Sequence, residues 1–159
     1  MGGVGQHLIL VAAGAVVWAS LTTGDSLWPR RVALIARWTF GFCTIDFRLA
    51  HLGGVKDVAP LVPGWMPLGG AFWTVVTGIC FVLAGVAIVS GILDVVAARL
   101  LALMLLVFSG AVLAPMIFTS PHDQTAWGGN AYNLAAVGAA WILAGCLANR
   151  QSQHATATG

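Results

Sequence analysis

Five apolar stretches, each parted from the next by a short polar break, restrict what this chain can fold into. They cover about residues 7–23, 32–52, 69–93, 96–119 and 131–148. About 20 apolar residues, rising 1.5 Å each as a helix, match the roughly 30 Å of bilayer hydrocarbon. Charged residues make up 8% of the chain and hydrophobic ones 59%, against about 25% charged in a soluble domain. Such a chain cannot cover a water-facing surface, and an all-α integral membrane protein is expected. Its 159 residues suit one helical bundle and leave no room for a soluble catalytic domain. A scattered net charge of +2 gives no basic patch for nucleic acid.

The first stretch, residues 7–23, is just long enough to span. The alternative is a cleaved signal peptide. Met1 to Gln6 holds no Lys or Arg, and no small-x-small site follows the run, so a retained helix is favoured. Gly24-Asp25-Ser26 breaks the pattern, and Trp28-Pro29-Arg30-Arg31 marks an interface. The second span, about Val32 to Leu52, has Arg37 near its start, placed to snorkel back to the headgroups. In the third, about Gly69 to Leu93, Gly78, Ala84, Gly85, Ala87 and Gly91 provide small surfaces for close helix approach. The fourth, about Val96 to Thr119, carries Pro115, which kinks or ends a helix. Asp94 and Arg99 read as an interfacial pair at the preceding turn. Ser120 to Asn130 is a polar loop, and the fifth span covers about Ala131 to Ala148. The expected division is therefore a first helix with a basic loop (1–31), a four-helix bundle (32–148) and a flexible polar tail (149–159).

With five spans, Arg30, Arg31, Arg99 and Arg150 share one side, with Arg37 close by. Lys56 stands on the other side, with Arg48 near that helix end. The basic side is expected to be cytoplasmic, which places the N-terminus outside and the C-terminus inside.

The unusual chemistry gathers between Arg37 and Pro67. An acidic residue in the middle of a span costs about 2.5–3.5 kcal/mol on insertion scales, so Asp46 needs a partner. At 3.6 residues per turn, Arg48 lies about 200° around the helix from Asp46, so the two do not pair. Arg48 and His51, three residues apart, share a face. Asp46 is expected to meet Asn130, Tyr132 or Asn133 from the fifth span. Pro60, Pro63 and Pro67 stiffen the following connection into a cap. Trp65 and Trp127 fit interfacial anchors, and His122-Asp123 faces the same side. Asp46, Arg48, His51, Trp65, His122 and Asn130 thus form a candidate ligand pocket. No metal motif is present. Cys43, Cys80 and Cys146 lie apart in apolar runs and read as buried small hydrophobes. There is no P-loop, no dinucleotide fingerprint in context and no nucleophile elbow.

Taken in order, Arg37-Trp38, Phe40-Gly41, Ile45-Asp46-Phe47 and Ala50-His51, then Val62-Pro63-Gly64-Trp65-Met66-Pro67, form a longer pattern. It continues through Phe72-Trp73, Thr77-Gly78, Leu83-Ala84-Gly85, Ala97-Ala98-Arg99-Leu100 and Pro121-His122-Asp123. This pattern resembles the DoxX-like integral membrane proteins over about residues 32–148. The resemblance implies a four-helix transmembrane bundle, to which the first apolar run adds a fifth span. It also implies residence in the cell inner membrane. The family's link to a thiosulfate:quinone oxidoreductase implies an accessory or anchoring subunit of a membrane redox system, a quinone as ligand, and a membrane or peripheral redox partner. His51 matches a histidine at the end of the family's first core helix, where many members continue with Phe and this chain has Leu52. No catalytic role is carried over. A non-enzymatic partner-binding protein or small carrier is the alternative, and the Gly- and Ala-rich faces allow a homo-oligomer.

Overall fold

The apolar stretches become helices because their backbone polar groups can be satisfied only within the segment once water is excluded. The computed structural model describes the backbone of residues 3–22, 27–52 and 55–158, and the side chains of these except residues 3–6, 47–52, 57 and 153–158. The elements, in order, are α1 (Gly3–Leu21), α2 (Leu27–Leu52), α3 (Val55–Val58) with a 3₁₀ turn at Ala59–Leu61, and α4 (Gly69–Ser90). There follow α5 (Asp94–Phe108), a π-helical segment at Ser109–Leu113, α6 (Ala114–Thr119) and α7 (Gln124–Thr158). No strand occurs among the described residues. The breaks expected at Gly24-Asp25-Ser26 and Gly53-Gly54 lie outside the described residues.

Among the described residues three helices are long and apolar enough to cross a membrane: Gly69–Ser90, the continuous rod Asp94–Thr119, and Gln124–Ser152. His7–Leu21 is a shorter apolar helix. The rods pack in a ring, with α1 against α2, α2 against α4, α4 against α5, α5 against α7 and α7 back against α1. The core inside this ring includes Phe40, Ile88, Leu101, Leu143 and a set of alanines, among them Ala98 and Ala140 at 0% exposure. Small core residues let the helices approach closely where lipid supplies no hydrophobic drive.

The tightest crossing is that of α2 and α4. A Cβ on Gly85 would lie 2.5 Å from Ile45 Cγ1 and 2.8 Å from the Gly41 carbonyl oxygen. One on Gly41 would lie 2.6 Å from Val89 Cγ2 and 3.0 Å from the Gly85 carbonyl oxygen. The two glycines therefore set the spacing of these helices by mutual backbone contact.

The fourth run ends at Thr119 as expected, whereas α2 begins at Leu27 rather than at about Val32 and both ends of α7 differ from the sequence reading. Pro115 does not end its helix. It lacks an N–H and its ring crowds the carbonyl four residues back, and the π-helical turn at Ser109–Leu113 precedes it, so the rod continues to Thr119. The polar loop is short, because the Asp123 carboxylate accepts the Thr125 N–H at 2.8 Å. This is an N-terminal cap, and α7 begins at Gln124. At the other end α7 runs on to Thr158 rather than stopping at Ala148. Residues 149–158 hold no Pro or Gly, and Ala, Arg and Gln among them favour helix.

Candidate functional site

Two polar clusters and an apolar cleft stand out, and the two clusters lie at different heights in the bundle. The first cluster is at the α4–α5 turn. Helix α4 ends at Gly91 with φ +77°, and the Gly91 N–H bonds the Ala87 carbonyl at 3.0 Å. A glycine is suited to that left-handed cap. It also leaves room for Arg37, whose Nη1 would be 3.2 Å from a Cβ at this position. Asp94 opens α5 and is 4% exposed. Its Oδ1 accepts the Val95 N–H at 2.8 Å and the Gln151 Nε2–H at 3.0 Å. Its Oδ2 lies 3.7 Å from Arg37 Nη1. Arg37 Nη2 also donates to the Val89 carbonyl at 3.4 Å, while its Nε is buried with no partner among the described residues. One carboxylate thereby ties α2, α5 and α7 together.

This cluster corrects two expectations. Arg37 does not snorkel to headgroups but turns inward to Asp94. Asp94 does not pair with Arg99, because α5 begins at Asp94 and five residues place Arg99 about 140° around it. Arg99 is exposed.

The second cluster surrounds the start of α7. Ser109 Oγ donates to Asn130 Oδ1, and Asn133 Nδ2 donates to the Leu105 carbonyl at 2.6 Å. The two asparagines, three apart on one face, hold α7 to the last turn of α5 and to the π-helical segment after it. Tyr132 points the other way, to α1, where its hydroxyl and His7 Nε2 share a hydrogen bond and the rings meet edge-on with centroids 5.0 Å apart.

All three expected partners of Asp46 are therefore engaged elsewhere. The ring order gives the reason, since α1 stands between α2 and α7. Asp46 is exposed. Ile45 meets Gly85 of α4, so Asp46 stands level with that candidate membrane span. It shares an outward face of α2 with Trp28, Ile35 and Phe42, which are 66%, 59% and 57% exposed. The side chains of Arg48 and His51 lie outside the described residues. Trp65 is 72% exposed, and His122 is exposed in the turn before α7. Asp46, Trp65, His122 and Asn130 do not converge on one pocket.

A cavity lies instead between α4 and α5, with a volume of about 650 Å³. Thr74, Thr77, Cys80 and Ala84 line its α4 wall, while Ala97, Leu101, Met104 and Phe108 line its α5 wall. Leu93 closes one end, and Val58, Val62 and Met66 of the connection cover the other. The lining is almost wholly apolar. Its two hydroxyl groups are committed to backbone carbonyls, Thr74 Oγ1 to Gly70 at 2.9 Å and Thr77 Oγ1 to Trp73 at 2.7 Å. Shape and dispersion, rather than directed hydrogen bonds, therefore decide what fits.

The cap over this cleft is clamped to α4. Trp73 Nε1 donates to the Pro67 carbonyl at 2.7 Å, and a Cβ on Gly70 would overlap the Ala59 carbonyl oxygen. The same device recurs at α7, where Trp127 Nε1 donates to the Pro121 carbonyl at 3.0 Å. Pro67/Trp73 and Pro121/Trp127 share a spacing of six. That repeated spacing is the sequence signal that marks Trp73 and Trp127 as structural clamps. His7 carries no such signal, because its partner is 125 residues away.

The three cysteines are free thiols. Cys43 is buried, as expected for a small hydrophobe, but Cys80 opens onto the cleft. Among the described residues no group of three or more His, Cys, Asp or Glu side chains could hold a metal ion. The molecule is thus an all-helical bundle of membrane-spanning character with a long apolar cleft between the neighbouring helices α4 and α5. No family model, curated protein or solved structure matches the chain.

Proposed function

We propose that this chain is a five-span, DoxX-like membrane protein that serves as an accessory subunit of a membrane redox system and holds a quinone-type amphiphile in the α4–α5 cleft. The observation that carries this reading is the cleft itself. Its 650 Å³ falls within the range of about 300–1,000 Å³ typical of small-molecule sites. Its apolar walls suit a hydrocarbon tail, and its capped end brings the head of such a molecule to the tryptophan-bearing interface near Trp65 and Trp73. The ligand site moves accordingly, from the Asp46, Arg48 and His51 end of α2 to the neighbouring pair of helices. The basic rim of Arg30, Arg31 and Arg99 favours the Asp94 end as the cytoplasmic one, in an inner-membrane setting.

The test is photolabelling of the purified protein with a photoreactive quinone analogue, followed by peptide mapping. Label is expected on the cleft-facing residues of α4 and α5, and it should fall when Thr77→Trp or Ala111→Phe fills the space. Undiminished labelling in both folded variants would overturn the assignment.

A second reading, a non-enzymatic partner-binding protein, is favoured by Asp46. Ionisable residues inside a span normally face the bundle interior, and this one stands on the outward face of α2 beside Ile35 and Phe42. A partner helix with a hydrogen-bond donor at that depth would satisfy it. On this reading, a protein that co-purifies in mild detergent dissociates on Asp46→Leu. Retention of that protein by the variant argues against the α2 face.

A further inference from the structure

Charge at the Asp94 end of the bundle is not balanced by the described residues. Arg30, Arg31 and Arg37 stand on the first three turns of α2, and of the described carboxylates only Asp94 lies at that end. Arg30 and Arg31 are exposed, and neither has a hydrogen bond or an ion pair among the described residues. Arg37 is only partly compensated. Its carboxylate partner stands at 3.7 Å, beyond hydrogen-bond distance, and that carboxylate also serves the Val95 and Gln151 donors.

Helix geometry brings the three arginines to one place. Seven residues turn a helix through about 700°, some 20° short of two full turns. Arg30 and Arg37 therefore share a stripe, about 10.5 Å apart along the axis. Gly91 of the α4–α5 turn lies against Arg37, so this stripe faces the turn. Helical side chains lean toward the N-terminus, which carries the Arg30 head past the end of α4. Arg31 follows about 100° further round, on the outward side of the same notch.

The notch is at the level of the headgroups. One candidate span ends at Ser90 and the next begins at Asp94, so the turn between them marks the edge of the hydrocarbon. Ile92 and Leu93 of that turn are exposed, as are Leu34 and Trp38 of α2 and Val86 of α4 along the neighbouring seam. An acyl chain lying on this seam brings its phosphate to the three guanidinium groups. Three cations against one carboxylate leave a surplus that an anionic headgroup neutralises and a zwitterionic one does not.

From this placement we infer that the notch of Arg30, Arg31 and Arg37 beside the α4–α5 turn is a headgroup seat for an anionic glycerophospholipid, whose chains lie along the α2–α4 seam. The inference is independent of the ligand assigned to the α4–α5 cleft. Arg99 provides an internal contrast. It is exposed, but it stands about 200° around α5 from the cleft-facing Ala97 and so points away from α4 and α2.

The test is equilibrium binding of phosphatidylglycerol and of phosphatidylcholine with the same acyl chains to the purified full-length protein in detergent, read by native mass spectrometry. Phosphatidylglycerol is expected to bind at least about tenfold more tightly. That preference should fall about fivefold in Arg30→Gln or in Arg31→Gln, a change of about 1 kcal/mol for each arginine. Both side chains are exposed, so both variants keep the fold. Arg99→Gln removes the same charge from another place and should leave the preference unchanged. Equal affinity for the two lipids in the wild type overturns the inference. An equal loss in Arg99→Gln also overturns it, because the attraction is then a diffuse field and not a seat. Displacement of phosphatidylglycerol by inorganic phosphate at equal concentration overturns the lipid as the occupant.

Discussion

Replacing Gly85 by Ala tests whether the α2–α4 contact controls the spacing of the ring. The new methyl would sit 2.8 Å from the Gly41 carbonyl oxygen and 2.5 Å from Ile45 Cγ1. The isoleucine side chain can rotate, but the backbone oxygen cannot. Restoring a contact of about 3.5 Å requires the helices to separate by about 0.7 Å. A gap of that size forfeits about a quarter to a half of each dispersion contact along the seam, and overpacking of this kind costs about 1–3 kcal/mol. Alanine recovers about 1 kcal/mol of helix propensity, which leaves a net loss of about 1 kcal/mol.

Gly138→Ala is the internal control, because no atom lies within 4 Å of its added Cβ, and it should gain up to about 1 kcal/mol. Equilibrium unfolding in mixed micelles with increasing SDS measures both. The double replacement Gly41→Ala, Gly85→Ala adds a sharper criterion. Each glycine abuts the carbonyl of the other, so separation forced by the first methyl makes room for the second, and the double variant should lose less than the sum of the singles. Strict additivity, or a Gly85→Ala variant as stable as Gly138→Ala, would refute the argument.

Two further outcomes follow from the polar contacts. Asp94→Ala leaves Arg37 without its counter-charge and removes the acceptor of Gln151. Breaking a buried pair costs about 3–5 kcal/mol, reduced here because the Arg37 side chain is 21% exposed. A loss of about 2 kcal/mol is expected in the same unfolding assay, whereas the paired replacement Arg37→Leu, Asp94→Leu should lose less than Asp94→Ala alone. Gly70→Ala should release the cap from α4, because its Cβ overlaps the Ala59 carbonyl. Proteolysis between Ala59 and Leu68 should then accelerate, with little change at the Ser120–Asp123 turn.

How much was legible in the sequence depends on whether the signal is local. The apolar runs and the small residues of the third run are features of composition and short spacing, and they appear where expected, whereas the Gly91 cap, itself local, ends α4 before the expected Leu93. The Asp123 cap is equally local, yet the loop reading of Ser120–Asn130 passed over it. Partner choice is different. Asp46 looked as though it should meet Asn130 or Asn133, and Asp94 as though it should meet Arg99. Both expectations failed because a polar side chain in a helix points along one azimuth, and its partner depends on which helix stands there.

The chain by itself determined an all-helical, membrane-spanning class, because a segment with 8% charged residues overall must satisfy its backbone internally. Ring order was a tertiary decision. It put α1 between α2 and α7, engaged Asn130 and Asn133 with the α5 rod, and brought Arg37 to Asp94 across 57 residues. It also placed the cleft between α4 and α5. The physical reason is that hydrophobicity drives each segment into lipid without telling one helix from another. Close backbone approach at Gly41 and Gly85, and a few desolvated polar contacts, make that distinction, and their geometry exists only once the helices are packed.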